Sequence, residues 1–180
     1  IIDEAAKMNK LVRNLLNLNQ LESGVDMVTM ERFDLVEVIQ GVIQASDILV
    51  QQKEAQVIFR SQAPVMVWAD EFKIEEVITN YFTNALNHLD DHKIVEIKIL
   101  ERDEKTVRVT VFNTGNSIRR KIWARSGASL KVDKARTREY GGSGIGLSIV
   151  KAIMESMGQQ CGVENYENGV EFWFQLERRE

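Results

Sequence analysis

The chain has almost nothing with which to lock itself covalently. Its one cysteine, Cys161, excludes an internal disulfide framework and is compatible with a reducing cytosol. No apolar run is long enough to span a bilayer, and there is no signal-peptide pattern. Positive charge is not in excess. The formal net charge is −4, so a general nucleic-acid role would need a local basic patch working against that sign. Internal repeats are absent. Proline occurs once, at Pro64, and histidine twice, at His88 and His92.

What is present is a globular balance, 44% hydrophobic and 28% charged, which excludes an extended disordered chain. The 180 residues give room for one domain of ordinary size plus a small appendage, with a real core. The chain opens Ile1-Ile2-Asp3, without methionine and already in a helical pattern, and is expected to be a piece of a longer protein.

Met8, Leu11, Leu15 and Leu18 alternate steps of three and four, widened by Val12 and Leu16, which predicts a bundle-seam helix ending at Ser23-Gly24. A connector or short strand over 25–32 leads to a helix capped by Asp34, with Glu37 three residues on and Phe33 and Val38 spaced as a staple. That helix is expected to reach about residue 53. Short strands at 56–61 and 65–68 flank Pro64. Asp70 caps a helix whose stripe is Ile74, Val77, Ile78, Tyr81, Phe82, Ala85, Leu86 and Leu89. Strands follow at 95–100 and 106–112 around a turn at 103–105. Residues 113–140 lack periodicity. A last helix runs to about residue 157, with Gly158 beyond it, and a final hairpin joins 160–164 to 170–176. The domain boundary is placed near 23–32.

Three clusters carry chemistry. Gly141-Gly142-Ser143-Gly144-Ile145-Gly146-Leu147 sets four glycines in six residues at the start of a helix. Its free N–H groups and dipole make a seat for an anion, most often a phosphate. On this stretch alone, a glycine-rich turn capping an ordinary helix explains it equally well. Asn80 and Asn84, four apart, share one side of the Asp70 helix at the margin of its apolar stripe. Such side chains need partners. They either bond nearby backbone or, through a side-chain oxygen, hold a hard cation such as Mg²⁺. Asn113-Thr114-Gly115, at the end of a strand, can read the edge of a flat heterocycle or simply end the strand in a turn.

The order of these pieces resembles the ATP-binding catalytic domain of bacterial sensor histidine kinases, in the superfamily shared with gyrase, Hsp90 and MutL. Glu76 through Asn80, Asn84, Asn87 and His88 looks like that family's N box. Asn113-Thr114-Gly115 resembles its G1 box, and Gly142-Ser143-Gly144-Ile145-Gly146-Leu147 its G2 box. Residues 8–24 are similar to the end of its dimerisation hairpin. The resemblance implies an α+β fold, a two-layer sandwich of a mixed sheet backed by three helices and preceded by one bundle helix. Residues 1–24 would belong to the hairpin and 25–180 to the catalytic domain. It implies ATP and Mg²⁺ as ligands and transfer of the γ-phosphoryl group to a histidine, for relay to a response-regulator aspartate. Asn84 would hold Mg²⁺ and Asn80 a phosphate or the metal's waters. Asn113 would meet the adenine amino group beside Gly115, with Asn87 and His88 lining the pocket. Gly142, Gly144, Ile145, Gly146 and Leu147 would form the lid hinge and phosphate seat. Lys131 would contact the γ-phosphate, assisted by Arg136 or Arg138, whereas Arg119, Arg120 and Arg125 read as solvated charges. The resemblance also implies a homodimer through the hairpin, a response-regulator receiver domain as partner, no nucleic acid, and the cytoplasmic part of a sensor anchored by upstream segments.

The pattern is broken in three places. The adenine-reading position, usually aspartate in the family, is Asn113, which keeps an acceptor without charge assistance. Between the G1 and G2 boxes, Ile118 is followed by Arg119-Arg120-Lys121, and Trp123 to Leu130 stands where a lid anchor belongs. The acceptor histidine is missing, since His88 and His92 lie around the end of the Asn80/Asn84 helix. A nucleotide-holding module that acts by docking, its chemistry lost, is the rival reading.

Overall fold

The computed structural model describes residues 27–115 and 145–179, together with Val12, Leu16 and Asn19, and the backbone alone at Ile145. The described elements are strand β1 (Glu31–Asp34), helices α1 (Leu35–Ala45) and α2 (Asp47–Lys53), strands β2 (Gln56–Phe59) and β3 (Met66–Ala69), helix α3 (Glu71–Asn87), strands β4 (Ile94–Asp103) and β5 (Thr106–Thr114), helix α4 (Ile145–Ser156), and strands β6 (Cys161–Tyr166) and β7 (Gly169–Arg178). The strands form one sheet in the order β1-β3-β7-β5-β4-β2, with β6 added to the N-terminal half of β7. All pairs are antiparallel except β2 with β4, so the sheet is mixed.

Alternation on β5 puts Val107, Val109 and Val111 on the covered face. The helical stripe from Ile74 to Leu86 is wholly buried against that side, and α3 also packs on α4, α1 and α2. Tyr81, Phe172 and Phe174 meet at the centre, with ring centroids 5.1 and 6.2 Å from Tyr81. The result is the α+β sandwich expected from the sequence.

Three details differ. The helix predicted to run unbroken to about residue 53 is interrupted at Ser46, whose N–H is shared between the carbonyls of Val42 and Ile43. The hydrogen-bonded strand before it starts only at Glu31, and Leu89 falls past the end of α3. Asp34 does cap α1, but its carboxylate takes the N–H of Val36 and, across the fold, that of Val65, each at 3.0 Å. Val12, Leu16 and Asn19 have helical backbone, with Val12 and Leu16 exposed. The remainder of the predicted seam helix lies outside the described residues.

Asp70 fixes the entry to α3. Its nearly buried carboxylate accepts from Lys73 N–H at 3.1 Å and from Thr29 N–H at 2.8 Å, so one side chain caps a helix and ties down the segment leading into β1. Replacing it with alanine leaves two donors unmet. A loss of about 2 kcal/mol is expected, a fall of roughly 4–8 °C in Tm by thermal melting. Asp70→Ser, which can still cap, should recover about half of it. Equal melting of wild type and alanine variant would exclude this role.

Candidate functional site

Helix α3 is the floor of the site. Asn80 and Asn84 emerge from the flank of its apolar stripe, each partly buried. Asn80 turns its amide nitrogen back onto the Glu76 carbonyl at 2.9 Å. Its Oδ1 is left facing the first turn of α4. A Cβ built at Gly146 would come within 2.9 Å of that oxygen, a side-chain end that would have to move to make room, so the two helices lie close here. Asn80 and the end of the glycine-rich stretch therefore meet. One turn along α3, Asn84 has its amide nitrogen buried with no hydrogen-bond partner. An unmet buried donor of this kind costs about 1–3 kcal/mol unless something supplies an acceptor.

The far wall comes from β5. The alternation that buries its three valines continues one step further to Asn113, which is fully buried. Its Nδ2 donates to the carbonyl oxygens of His88 at 3.3 Å and Thr114 at 3.1 Å, while its Oδ1 is buried without a donor. Gly115 follows at φ 143°, and a side chain there would collide with the His88 carbonyl oxygen. Asp90 N–H donates to the Thr114 carbonyl at 3.3 Å, and Thr114 Oγ1 accepts from Ile94 N–H at 3.2 Å. The end of α3, the loop after it and the end of β5 are thus laced into one piece.

Asp90 has no signal in the sequence, and Thr114 none beyond its place between Asn113 and Gly115. Their roles arise only when residues far apart in the chain come together. The Asp90 carboxyl is held below its ordinary pKa by a hydrogen bond from Thr114 first and by His92 second, against the opposing effect of burial. His92 Nδ1 lies 3.0 Å from Asp90 Oδ2 on the surface.

His88 is half-buried, and burial, with the charge of Lys53 second, holds its imidazole below the ordinary value of 6.5. The folded form therefore binds the proton less tightly than the unfolded chain. The stability this gives is fully present above the unfolded pKa and is lost as pH falls through the folded one. His88→Gln should flatten the decline in Tm between about pH 7 and about pH 5. An unchanged slope would show that another group sets it.

Among the other expected site residues, Asn87 is exposed at the end of α3, and Leu147 is buried in the core. Ile145 begins α4. Gly142, Gly144 and Lys131 lie outside the described residues, as do Arg136 and Arg138.

Comparison with known proteins adds four findings. The family described as histidine kinase-, DNA gyrase B-, and HSP90-like ATPase matches residues 69–180. The sensor protein IrlS of Burkholderia pseudomallei is 26% identical over 168 residues, covering 91% of this chain and 35% of that protein. The chain thus spans about a third of that relative's length. Among solved structures, the catalytic domain of the histidine kinase ThkA superposes with a TM-score of 0.70 at 26% identity, covering 83% of this chain and 97% of that one. ThkA in complex with the response regulator protein TrrA gives 0.73 at 23% identity, covering 96% and 49%, a likeness of fold.

Proposed function

The chain belongs to the histidine kinase-, DNA gyrase B- and HSP90-like ATPase family, as the catalytic domain of a sensor histidine kinase, and from that premise we propose that it binds Mg-ATP and phosphorylates a histidine. The observation that carries this reading is the meeting of Asn80 and Gly146, together with two buried amide atoms on Asn84, one turn along the same helix, and on Asn113, near its end, that lack partners. These atoms fit the ligand. An unmet donor at Asn84 suits a phosphate oxygen, and an unmet acceptor at Asn113 suits the adenine amino group.

Among the described residues no group of three or more His, Cys, Asp or Glu could hold a metal. A magnesium ion here would take Asn84 Oδ1 as its protein ligand and complete its shell with phosphates and waters, as this ion commonly does. When bound, Mg²⁺ neutralises charge developing on the transferring phosphoryl group. Asn80 then orients the phosphates over the start of α4, Asn113 and Gly115 fix the base, and Lys131 contacts the γ-phosphate. In the transfer, the bond between the γ-phosphorus and the β–γ bridging oxygen breaks, a phosphorus–nitrogen bond to imidazole forms, and ADP leaves.

The acceptor is assigned to the dimerisation hairpin, of which residues 1–24 are the C-terminal part and to which 25–180 are joined. Neither His88, half-buried at the end of α3, nor His92, paired with Asp90, lies on that hairpin. From the acceptor histidine the phosphoryl group passes to a response-regulator aspartate, and the whole protein dimerises through the hairpin. No described helix is long and apolar enough to cross a membrane. On the sensor-kinase reading the whole protein is anchored through upstream segments, with this part on the cytoplasmic side.

The deciding experiment supplies a separate hairpin carrying its histidine, with Mg²⁺ and γ-labelled ATP. Acid-labile label on the hairpin, and none on this chain alone, is the expected result. Tight ATP binding without transfer would instead support the docking-module reading.

A further inference from the structure

The Asn113 amide nitrogen is committed twice, to the carbonyl oxygens of His88 and Thr114. Turning the carboxamide over would set Oδ1 against both of those oxygens, acceptor facing acceptor, and would strand the amide nitrogen. The side chain therefore has one stable orientation. In it, Oδ1 is the single polar atom left without a partner, within a residue that is 0% exposed.

We propose that Asn113 is a positioning residue as well as a reader: its Nδ2 straps the end of α3 to the end of β5 and thereby holds Oδ1 as a fixed acceptor, so that this site requires an amide and is damaged by a carboxylate. Only the identity of the donor that Oδ1 meets, the 6-amino group of adenine, rests on the nucleotide reading. An aspartate at this position has the same shape and the wrong polarity. It would turn one anionic oxygen on two carbonyl oxygens in a dry setting, and it fits only when protonated, with its O–H taking over as donor. The family's usual residue would thus impair this chain.

The test compares wild type, Asn113→Asp and Asn113→Ala by melting without nucleotide and by calorimetric titration with ATP and with purine riboside triphosphate, which lacks the 6-amino group. A buried carboxylate has a raised folded pKa, so its destabilisation is absent below the unfolded value of about 3.9 and grows as pH rises towards the folded one. The Tm gap of Asn113→Asp below wild type should widen between about pH 5 and about pH 8. The titrating groups beside the position are His88, whose carbonyl is a partner, and Asp90, which bonds Thr114. Both remain in Asn113→Ala, whose gap should stay constant.

With ATP, Asn113→Asp should bind at least roughly tenfold more weakly than wild type at about pH 8 and recover as pH falls. Wild type should lose roughly tenfold when the amino group is removed. Asn113→Asp binding ATP as tightly as wild type at the higher pH, or a melting gap that does not change with pH, would overturn the strap. Wild-type indifference to the amino group, with the melting result intact, would overturn the adenine reading and leave the strap standing.

Discussion

Gly115→Ala should lower Tm by roughly 6–12 °C and abolish measurable ATP binding. The first effect has two sources. At φ 143° an L-residue is strained, and its Cβ would run into the His88 carbonyl oxygen, a backbone atom that cannot swing away like a side-chain end. That carbonyl is held by the Asn113 amide, and the adjoining loop by the Asp90–Thr114 bond. Relief therefore requires moving the end of α3 or the end of β5, and the combined penalty is about 3 kcal/mol. Loss of binding follows because the displaced pieces are the proposed wall for the base. Gly158 supplies the control. It too has positive φ, 66°, but a Cβ there meets nothing within 4 Å. Gly158→Ala should fall by no more than about 1 kcal/mol and bind ATP normally. Similar melting of the two variants would mean that the crowding at Gly115 is not real.

Asn84→Ala should separate binding from stability. The deletion removes a buried amide nitrogen that has no acceptor, so the nucleotide-free protein should melt at or slightly above the wild-type temperature. Affinity for ATP in Mg²⁺ should nevertheless fall by roughly tenfold to a hundredfold, the range for a lost contact to a charged group. The difference between wild type and variant should shrink, without vanishing, when Mg²⁺ is chelated, because the amide nitrogen can still donate to a phosphate oxygen. Equal affinity of wild type and variant in Mg²⁺ would remove Asn84 from the metal's shell. A large fall in Tm would recast it as structural. The expected pattern, a side chain that costs stability when the site is empty and gives affinity when it is filled, is how binding groups differ from packing groups.

Much of this was readable in the chain itself because it rests on local periodicity. The stripe from Ile74 to Leu86 and the alternation from Val107 to Val111 each declare an element and its buried face. Asp34 and Asp70 mark two helix starts. Carrying the β5 alternation one step further places Asn113 inside, where a polar residue needs a reason. The break at Ser46 was not legible, since Val42, Ile43 and Leu49 continue a helical pattern across it. Nor were the pairings that make the site. Asn80 against Gly146, and His88 against Asn113 and Gly115, depend on how the sheet orders its strands, and no spacing within the sequence encodes that. The resemblance to sensor kinases supplied the grouping. The structure supplied its polarity, with the amide nitrogen of Asn113 turned towards the protein.

β5 lies between β4 and β7, and both ladders run as far as Asn113. A strand flanked on both sides opens only when the whole domain unfolds, so its amides should be among the slowest to exchange with deuterium. The base would then rest against the stiffest part of the molecule, and whatever adjustment accompanies turnover would fall to the phosphate end. Affinity for the base and speed of the reaction would thus be set by separate parts of the domain, free to be tuned independently.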